Sequence, residues 1–291
     1  MTASASSRRS APTSPSRWSE VLASLTALWN RVFALLGHPV VHSLSPAMQN
    51  AAFLALGLPA VYVAISCAPD DVAPLIRSLA RAGGGGNVTI PHKEAAALAV
   101  DRRLDEADEV GACNVFWSEQ STILGGNTDV EGLLQAIEAL QPPPGPWLII
   151  GTGGGARAAV VAAARCHARV AISSRAPDRA AAFERWVAER GVERASPREC
   201  RLVINATPLG LRADDPLPIE PSEVAGAAAA LDMVYRTGET RWVRAMRAAG
   251  CRAADGRGML VAQGAAALEL WFPEADAPTE IMRAAVDAAL R

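Results

Sequence analysis

Lysine is almost missing from this chain. Lys and Arg together number 28, and Lys93 is the single lysine among them. Arginine stays protonated at any accessible pH, whereas burial and neighbouring groups can tune a lysine ammonium to release and regain a proton. A compositional bias that leaves one stray surface lysine would explain the same count. The residues around Lys93 must therefore decide whether it is there for proton transfer.

Paired cysteines, long apolar runs and excess charge are also lacking. The five cysteines are far apart and form no C-x-x-C pair, so no zinc site, other metal site or disulfide framework is predicted. No apolar run approaches the ~20 residues of a membrane helix, and the first residues lack the apolar segment of a signal peptide. We expect a cytoplasmic protein.

The charge balance argues against a nucleic-acid partner. The formal net charge is −2, and the arginines are scattered rather than clustered. Such a chain has no extended positive field that could attract a phosphate backbone. We expect a small-molecule substrate, no membrane partner, and a monomer or a homodimer.

Short β-type runs alternate with Ala- and Leu-rich helical segments from Val32 onward, which predicts a parallel α/β architecture. Residues 1–31 are predicted to be a flexible leader with an appended helix at WSEVLASLTALWN. The predicted elements of the first half are strands at RVFALLG, AVYVAIS and GNVTI, helices from Pro46, Pro69 and His92, and a hairpin in CNVFWSEQSTILGGNTD that returns to a helix near Thr128. The glycine run 83–86 ends a helix and enters a strand, so we interpret it as a turn and not as a phosphate loop.

A nucleotide-binding pattern follows the linker QPPPGP. From Trp147 the segment PWLIIGTGGGARAAVVAAA predicts a buried strand, a glycine-rich turn and a helix in immediate succession. Glycines let the backbone turn tightly and approach a pyrophosphate, and the helix N-terminus supplies free N–H groups. The predicted cofactor contacts in this loop are Gly151, Gly153, Gly154, Gly155 and Ala156. A purely structural turn is the alternative.

The next strand distinguishes NADP from NAD. A site for NAD normally ends this strand, ~20 residues after the glycines, with Asp or Glu on the ribose hydroxyls. Here the strand ends in Ser173, Ser174 and Arg175. A guanidinium at this point suits a 2′-phosphate, and Arg179 could form the other side of a clamp. We predict NADP, although the nearby Asp178 weakens the case unless it serves the helix dipole.

Eight short motifs, in order, resemble the shikimate dehydrogenase family from about Val32 to the C-terminus. They are HSLSPAMQNAAF, NVTIPHK, GACN, GGNTDVEG, GTGGGARA, INATPLG, LDMVY and GRGMLVAQGA. The resemblance implies NADP-linked reduction of 3-dehydroshikimate to shikimate in aromatic amino-acid biosynthesis. It also implies an α/β substrate domain and a Rossmann-type NADP domain with the active-site cleft between them. We assign residues 32–128 and 264–291 to the first domain and residues 129–263 to the second.

The resemblance also implies roles for individual residues. Lys93 and Asp129 match the family's catalytic pair, in which the carboxylate orients the ammonium and the ammonium exchanges a proton with the substrate oxygen. Ser43 and Ser45, whose hydroxyls we expect on one side of an extended segment, match the groups that bind the substrate carboxylate. Ser45 could also cap the helix from Pro46. The remaining substrate-binding positions by resemblance are Thr89, Asn114, Tyr235 and Gln263, and packing alone is an alternative for Tyr235.

Further cofactor contacts are expected where parallel strands end. Asn205, Ala206 and Thr207 follow a predicted strand, and ligands bind at the carboxyl ends of such strands. Met259 matches a family residue against the nicotinamide, and core packing is its alternative. Asn87 and Asn127 are predicted to tie the loops together.

Departures from the family pattern leave other functions open. Gln49 stands where the family usually has His, and Val115 and Ala176 stand where it usually has Thr. A paralogue for quinate, an aminoshikimate or another cyclic hydroxy acid is one alternative, and a non-catalytic NADP-sensing module is another. A hydrolase built on His42 and Ser43 is disfavoured, because adjacent strand residues point apart and no G-x-S-x-G elbow is present.

Overall fold

The computed structural model describes residues 30–291, which form two β-sheets covered by helices. The first sheet has the order β2-β1-β3-β5-β6-β4. Its strands are β1 (Arg31–Gly37), β2 (Ala60–Ser66), β3 (Gly85–Val88), β4 (Arg102–Arg103), β5 (Val115–Glu119) and β6 (Thr122–Gly126). The helices among them are α1 (Ser45–Ala55), α2 (Val72–Arg81), α3 (Lys93–Ala99) and α4 (Asp105–Val110). The appended helix predicted for the leader lies outside the described residues, apart from its last residue, Asn30.

Most of the first-half prediction is confirmed. The strands at RVFALLG and AVYVAIS match β1 and β2, and the predicted hairpin is the antiparallel pair β5 and β6. The sheet as a whole is mixed, because β3 pairs antiparallel with β5 while β1 pairs parallel with β2 and β3. The glycine run 83–86 follows α2 and leads into β3, as predicted. Gly83 and Gly84 lie in the turn, and Gly85 and Gly86 are the first residues of the strand.

The second sheet is entirely parallel, with the order β11-β10-β9-β7-β8. Its strands are β7 (Trp147–Ile150), β8 (Val170–Ser173), β9 (Leu202–Asn205), β10 (Ala229–Asp232) and β11 (Arg252–Ala254). The remaining helices of the chain are α5 (Asp129–Leu140), α6 (Gly154–Arg165), α7 (Pro177–Ala188), α8 (Arg241–Ala248), α9 (Arg257–Trp271) and α10 (Thr279–Ala289). The last of them, α10, returns to the first half and packs against α1. The chain reverses its winding direction between β7 and β9, and open parallel sheets bind ligands at such a switch point.

The core of the second half follows from the apolar strands. All four residues of β7 are buried, as expected for a parallel strand covered on both faces. Trp147 and Ile149 pack in one apolar cluster with α5, α6 and α7, whereas Leu148 and Ile150 pack in another with α8. The alternation of side chains along the strand thus fixes one helical layer on each face.

Helices α5 and α9 join the two halves at Gly132. A Cβ at this glycine would lie 2.8 Å from Cβ of Gln263 and 2.9 Å from the carbonyl oxygen of Met259. Only a residue without a side chain lets the two helices approach this closely. Because α9 also packs against α1 and α10 of the first half, the predicted boundaries at 128/129 and 263/264 fall within a shared helical layer and stay predictions.

A second contact between the halves is made by arginines around Trp186. The guanidinium carbons of Arg157 and Arg190 lie 5.2 and 3.6 Å from the centre of the Trp186 ring. Arg190 Nε donates to the carbonyl oxygen of Glu109 at 3.0 Å, and Arg157 lies 3.6 Å from Glu94. Cations stacked on an aromatic face therefore hold α6 and α7 against α3 and α4. Among residues 30–291, no helix is long and apolar enough to cross a membrane.

The glycine run generates a stability prediction. A Cβ at Gly86 would lie 2.0 Å from the carbonyl oxygen of Ala34 on the neighbouring strand. We expect Gly86→Ala to separate β1 from β3 and to lower the free energy of unfolding by about 1–3 kcal/mol or more. The matched control is Gly258→Ala in α9, where nothing lies within 4 Å of the added Cβ. It should raise stability by about 0.5–1 kcal/mol. Urea unfolding of both variants is the measurement, and equal stabilities would contradict this account.

Candidate active site

Lys93 and Asp129 form a largely buried ion pair between the two halves. Nζ of Lys93 lies 2.5 Å from Oδ2 of Asp129, and the side chains are 16% and 6% exposed. Lys93 is the first residue of α3 and Asp129 is the first residue of α5. The sequence therefore delivers both groups at helix starts, where a preceding loop can aim them into the cleft. The predicted catalytic pair is in contact.

Amide side chains fix the carboxylate of Asp129 in place. Asn114 Nδ2 donates to Asp129 Oδ1 at 2.8 Å, and the backbone N–H of Asp129 donates to Asn127 Oδ1 at 3.0 Å. Asn127 in turn donates to the carbonyl oxygen of Ala112 at 2.8 Å. With Oδ2 bonded to Lys93 and Oδ1 bonded to Asn114, the carboxylate has one orientation.

A second chain of hydrogen bonds anchors Asn114 to the core. Tyr62 is fully buried, and its hydroxyl donates to Asn87 Oδ1 at 2.8 Å. Asn87 Nδ2 donates to the carbonyl oxygen of Asn114 at 3.0 Å. This confirms the loop-tying roles predicted for Asn87 and Asn127. Sequence reasoning did not find Tyr62, because a tyrosine in an apolar strand looks like ordinary core.

The hydroxyl cluster predicted for a substrate carboxylate lies at the start of α1. Oγ of Ser43 is 3.2 Å from Oγ of Ser45, so the two hydroxyls are together. The expected extended segment is wrong: Leu44 has helical backbone angles, and a turn rather than strand alternation brings the serines together. Ser45 does not cap the helix. Instead Ser43 Oγ accepts from the backbone N–H of Ser45 at 3.2 Å.

Tyr235 reaches this cluster from the second half of the chain. Burial raises the pKa of its phenol, and hydrogen bonds from the backbone of Leu44 and the side chain of Ser43 oppose that rise. These contacts place the Tyr235 hydroxyl beside Ser43, which packing alone does not require. The three hydroxyls form a compact group of neutral donors.

The other predicted substrate residues are less tightly held. Thr89 is half-buried in the loop after β3, and a Cβ at Gly37 would touch its methyl group. Gln263 lies over Gly132, and its Nε2 donates to the carbonyl oxygen of Leu260 at 2.8 Å. Gln49, one helical turn after Ser45, is fully buried, and its Oε1 has no hydrogen-bond partner.

The glycine-rich loop lies directly against Lys93. It connects β7 to α6, as predicted, and a Cβ at Gly154 would lie 3.3 Å from Cδ of Lys93. A Cβ at Gly151, whose φ is +118°, would lie 3.0 Å from the carbonyl oxygen of Ala206. No atom lies within 4 Å of the Cβ position of Gly153. The loop therefore offers open space above free N–H groups at the start of α6, which suits a pyrophosphate.

Asn205, Ala206 and Thr207 stand at the carboxyl end of β9, in register with Ile150 at the end of β7. Asn205 is fully buried, and its Oδ1 accepts from the backbone N–H and the hydroxyl of Thr207 at 3.0 and 2.7 Å. This side chain shapes the loop from within. Ala206 and Thr207 pack directly against Gly151.

The residues expected at the adenosine end follow β8. Ser174 is half-buried and accepts from the backbone N–H of Ala176 at 3.3 Å. Arg175 and Arg179 are exposed. Backbone hydrogen bonds lower the pKa of Asp215, and the positive charge of Arg175 makes a smaller contribution in the same direction. Asp178 lies in the first turn of α7, as a dipole-compensating residue should.

Met259 belongs to the core. It is 8% exposed and packs in the apolar cluster that contains α5 and α6. This position favours the packing alternative, although its helix faces the cleft. Within residues 30–291, no group of three or more His, Cys, Asp or Glu side chains is placed to hold a metal ion.

One buried carboxylate was missed by the sequence reasoning. Asp232, the last residue of β10, is fully buried beside Asn205 and has no cationic partner among the described ion pairs. Its place at the start of the DMVY segment was the available signal.

Comparisons with known proteins agree with this geometry. A model of the shikimate dehydrogenase substrate-binding domain matches residues 35–116, and a model of the shikimate 5'-dehydrogenase C-terminal domain matches residues 256–286. The shikimate dehydrogenase (NADP(+)) of Thermus thermophilus is 40% identical over 242 residues, which is 82% of this chain and 91% of that protein. The shikimate dehydrogenase (NADP(+)) of Methanopyrus kandleri is 39% identical over 279 residues, covering 89% and 96%.

Solved structures lead to the same family. The crystal structure of the Thermus thermophilus shikimate 5-dehydrogenase in complex with NADP(H) and shikimate superposes with a TM-score of 0.81 at 36% identity, covering 89% of this chain and 99% of that one. The curated relatives and the solved structure therefore identify the family of this chain. The chain belongs to the shikimate dehydrogenase family.

Proposed function

We propose that this protein is an NADP-dependent oxidoreductase that reversibly reduces 3-dehydroshikimate to shikimate. The observation that carries the proposal is the ion pair of Lys93 and Asp129, which lies against the glycine-rich loop of a parallel nucleotide-binding sheet. The single lysine of the chain is thus next to both a carboxylate and a dinucleotide loop. The relatives named for this reaction, at about 40% identity, support the same activity.

The nucleotide site fits NADP on the residues present. The N–H groups at the start of α6 face the open space at Gly153, and Arg175 and Arg179 are exposed beyond β8. We assign the 2′-phosphate to these arginines, since a guanidinium is always charged and matches phosphate geometry. Bound NADPH supplies the hydride that reduces the substrate ketone.

The substrate is oriented by groups from both halves of the chain. Its carboxylate is assigned to the hydroxyls of Ser43, Ser45 and Tyr235, which form one cluster of neutral donors. Its ring hydroxyls and ketone are assigned to Thr89, Asn114 and Gln263 together with the ion pair. A small, hydroxyl-rich acid meets donors and acceptors of this kind on every side.

Proton transfer is assigned to Lys93. As the carbonyl carbon gains a hydride, its oxygen becomes an alkoxide that takes a proton from Nζ, and the lysine is left neutral. In the reverse direction the neutral amine accepts the hydroxyl proton while the hydride leaves. Asp129 holds Nζ at 2.5 Å and keeps its own orientation through Asn114.

Spectrophotometry with purified protein tests the activity. NADP with shikimate should give growing absorbance at the nicotinamide wavelength, and quinate should give less under the same conditions. Faster turnover of quinate would make the protein a paralogue with another substrate. Nucleotide binding without turnover of any cyclic hydroxy acid would instead favour a sensor and overturn the proposal.

The proton-transfer role predicts the behaviour of Lys93→Arg. This variant keeps the positive charge beside Asp129 but cannot release a proton at neutral pH. We expect kcat to fall by roughly 10²–10⁴-fold while the Kd for NADP changes little. Steady-state kinetics and nucleotide titration are the measurements. An enzyme of unchanged kcat would rule out Lys93 as the proton donor.

The phosphate assignment predicts a change of cofactor preference. Removing the Arg175 guanidinium in Arg175→Ala should weaken NADP by roughly tenfold and leave NAD nearly unaffected, because only NADP carries the 2′-phosphate. Arg194→Ala is the matched control, since this exposed arginine pairs with Glu184 away from the loop. The ratio of kcat/KM for NADP to that for NAD is the readout. An equal ratio in wild type and Arg175→Ala would remove Arg175 from the site.

A further inference from the structure

The buried carboxylate of Asp232 accepts hydrogen bonds from three different segments. Thr240 Oγ1 donates to Oδ2 at 2.7 Å, and Asn205 Nδ2 and the backbone N–H of Val234 donate to Oδ1 at 2.8 and 3.1 Å. All three donors are neutral. A carboxylate that is 0% exposed and has no cation beside it is costly to keep ionised. Such a group is retained where its charge serves the surrounding structure.

Asp232 and the carbonyl oxygen of Leu209 together select the orientation of the Asn205 amide. Because Oδ1 is an acceptor, Asn205 must present its Nδ2 there, and the same Nδ2 also donates to the carbonyl oxygen of Leu209 at 3.0 Å. Asn205 Oδ1 is thereby turned toward Thr207, whose N–H and hydroxyl it accepts. The loop after β9 takes its shape from this one amide orientation.

The same carboxylate sets the turn after β10. Its bond to the N–H of Val234 fixes the chain between Met233 and Tyr235. Met233 Sδ would lie 3.0 Å from a Cβ on Gly155, and Tyr235 contacts Ser43. One side chain therefore orders two neighbouring loops. One of them packs against Gly151, and the other reaches both the glycine-rich loop and the hydroxyl of Ser43.

We propose that ionised Asp232 is a positioning residue that holds the loops after β9 and β10 in their NADP-binding form, so that nucleotide affinity falls when this carboxyl group is protonated. The inference rests on the proposed function, since it concerns the nucleotide site assigned there. Asp232 touches no substrate atom and acts through Asn205 and the N–H of Val234.

The pH at which this occurs follows from the surroundings of the carboxyl group. Burial, opposed by its three hydrogen bonds, raises the pKa of Asp232 to about 6, and repulsion from Asp255 adds to the rise. Asp255, at the start of the turn into α9, is paired with Arg257 at 2.9 Å, whereas β9 and α8 face Asp232 with the neutral Asn205 and Thr240. Above pH 6 the group is ionised and the loops are held. Below pH 6 the carboxyl group carries a proton on one of its two oxygens. That oxygen becomes a donor, so Asp232 no longer accepts all three hydrogen bonds.

The effect on folding has the opposite sign. The ordinary pKa of this carboxyl group is 3.8 and its folded value is about 6, so the folded state binds more protons than the unfolded state between these values. The stability contributed by this group is therefore lost as pH rises toward 6, and ionisation costs stability at neutral pH. A variant with an uncharged side chain of the same shape at position 232 should bind NADP more weakly than wild type. Its stability at neutral pH should nevertheless equal or exceed that of wild type.

Asp232→Asn imitates the protonated side chain, because its amide can donate to Thr240 but can accept at one position only. We expect this variant to bind NADP roughly three- to tenfold more weakly than wild type at about pH 8. Its Tm there should equal or exceed that of wild type. Isothermal titration with NADP, between about pH 5 and pH 8, gives the ratio of the two Kd values. The ratio of the Kd values of variant and wild type should approach one below pH 6. Protonation of the 2′-phosphate does not affect this ratio, because both proteins bind the same nucleotide.

Two further variants complete the experiment. Asp255→Asn is the matched control, since it removes the neighbouring carboxylate and leaves the three hydrogen-bond donors of Asp232 in place, and its Kd at pH 8 should equal that of wild type. Thr240→Val deletes the donor to Oδ2, and it should move the midpoint of the affinity curve to higher pH. A pH-independent Kd ratio, or an Asp232→Asn variant that loses stability and affinity together, would overturn the inference. Wild type that fails to bind NADP at all would overturn the proposed function instead.

Discussion

The ion pair between Lys93 and Asp129 is the constraint around which the rest of the molecule is arranged. A buried ammonium and carboxylate are tolerated only when their remaining hydrogen-bonding capacity is satisfied. Asn114 and Asn127 satisfy the acidic side. Asn127 is held by the carbonyl oxygen of Ala112, and Asn114 is held by Asn87 and, through it, by Tyr62 in the core. The polar network thus begins at the cleft and ends in the centre of the first sheet.

The two sheets meet the pair from different directions. The mixed sheet supplies the lysine and the asparagines, whereas the parallel sheet brings its glycine-rich loop to the lysine stem at Gly154. Close packing at Gly132 and the arginines stacked on Trp186 keep both halves in contact on either side of the cleft. Chemistry that needs a nucleotide and a second ligand face to face is served by this arrangement, since each ligand can be held by its own sheet.

Sequence patterns predicted the elements better than the side-chain contacts. Alternation of apolar runs gave the strands and the nucleotide loop, because local periodicity is imposed by burial. The turn at Leu44 was missed, since the helical angles there depend on how α1 packs and not on the residues themselves. Asp232 and Tyr62 were missed for a related reason: their partners lie 27 and 25 positions away in the chain, and only the assembled sheets bring them together. Met259 packs in the apolar core, and its predicted contact with the nicotinamide stays a prediction.

The contact of Lys93 with Gly154 couples two distant segments of the chain. A Cβ at position 154 would lie 3.3 Å from Cδ of Lys93 and would crowd the lysine stem. The two residues are 61 positions apart and belong to different halves of the chain. A substitution at position 154 therefore acts twice, because it changes the shape of the glycine-rich loop and displaces the lysine side chain at the same time.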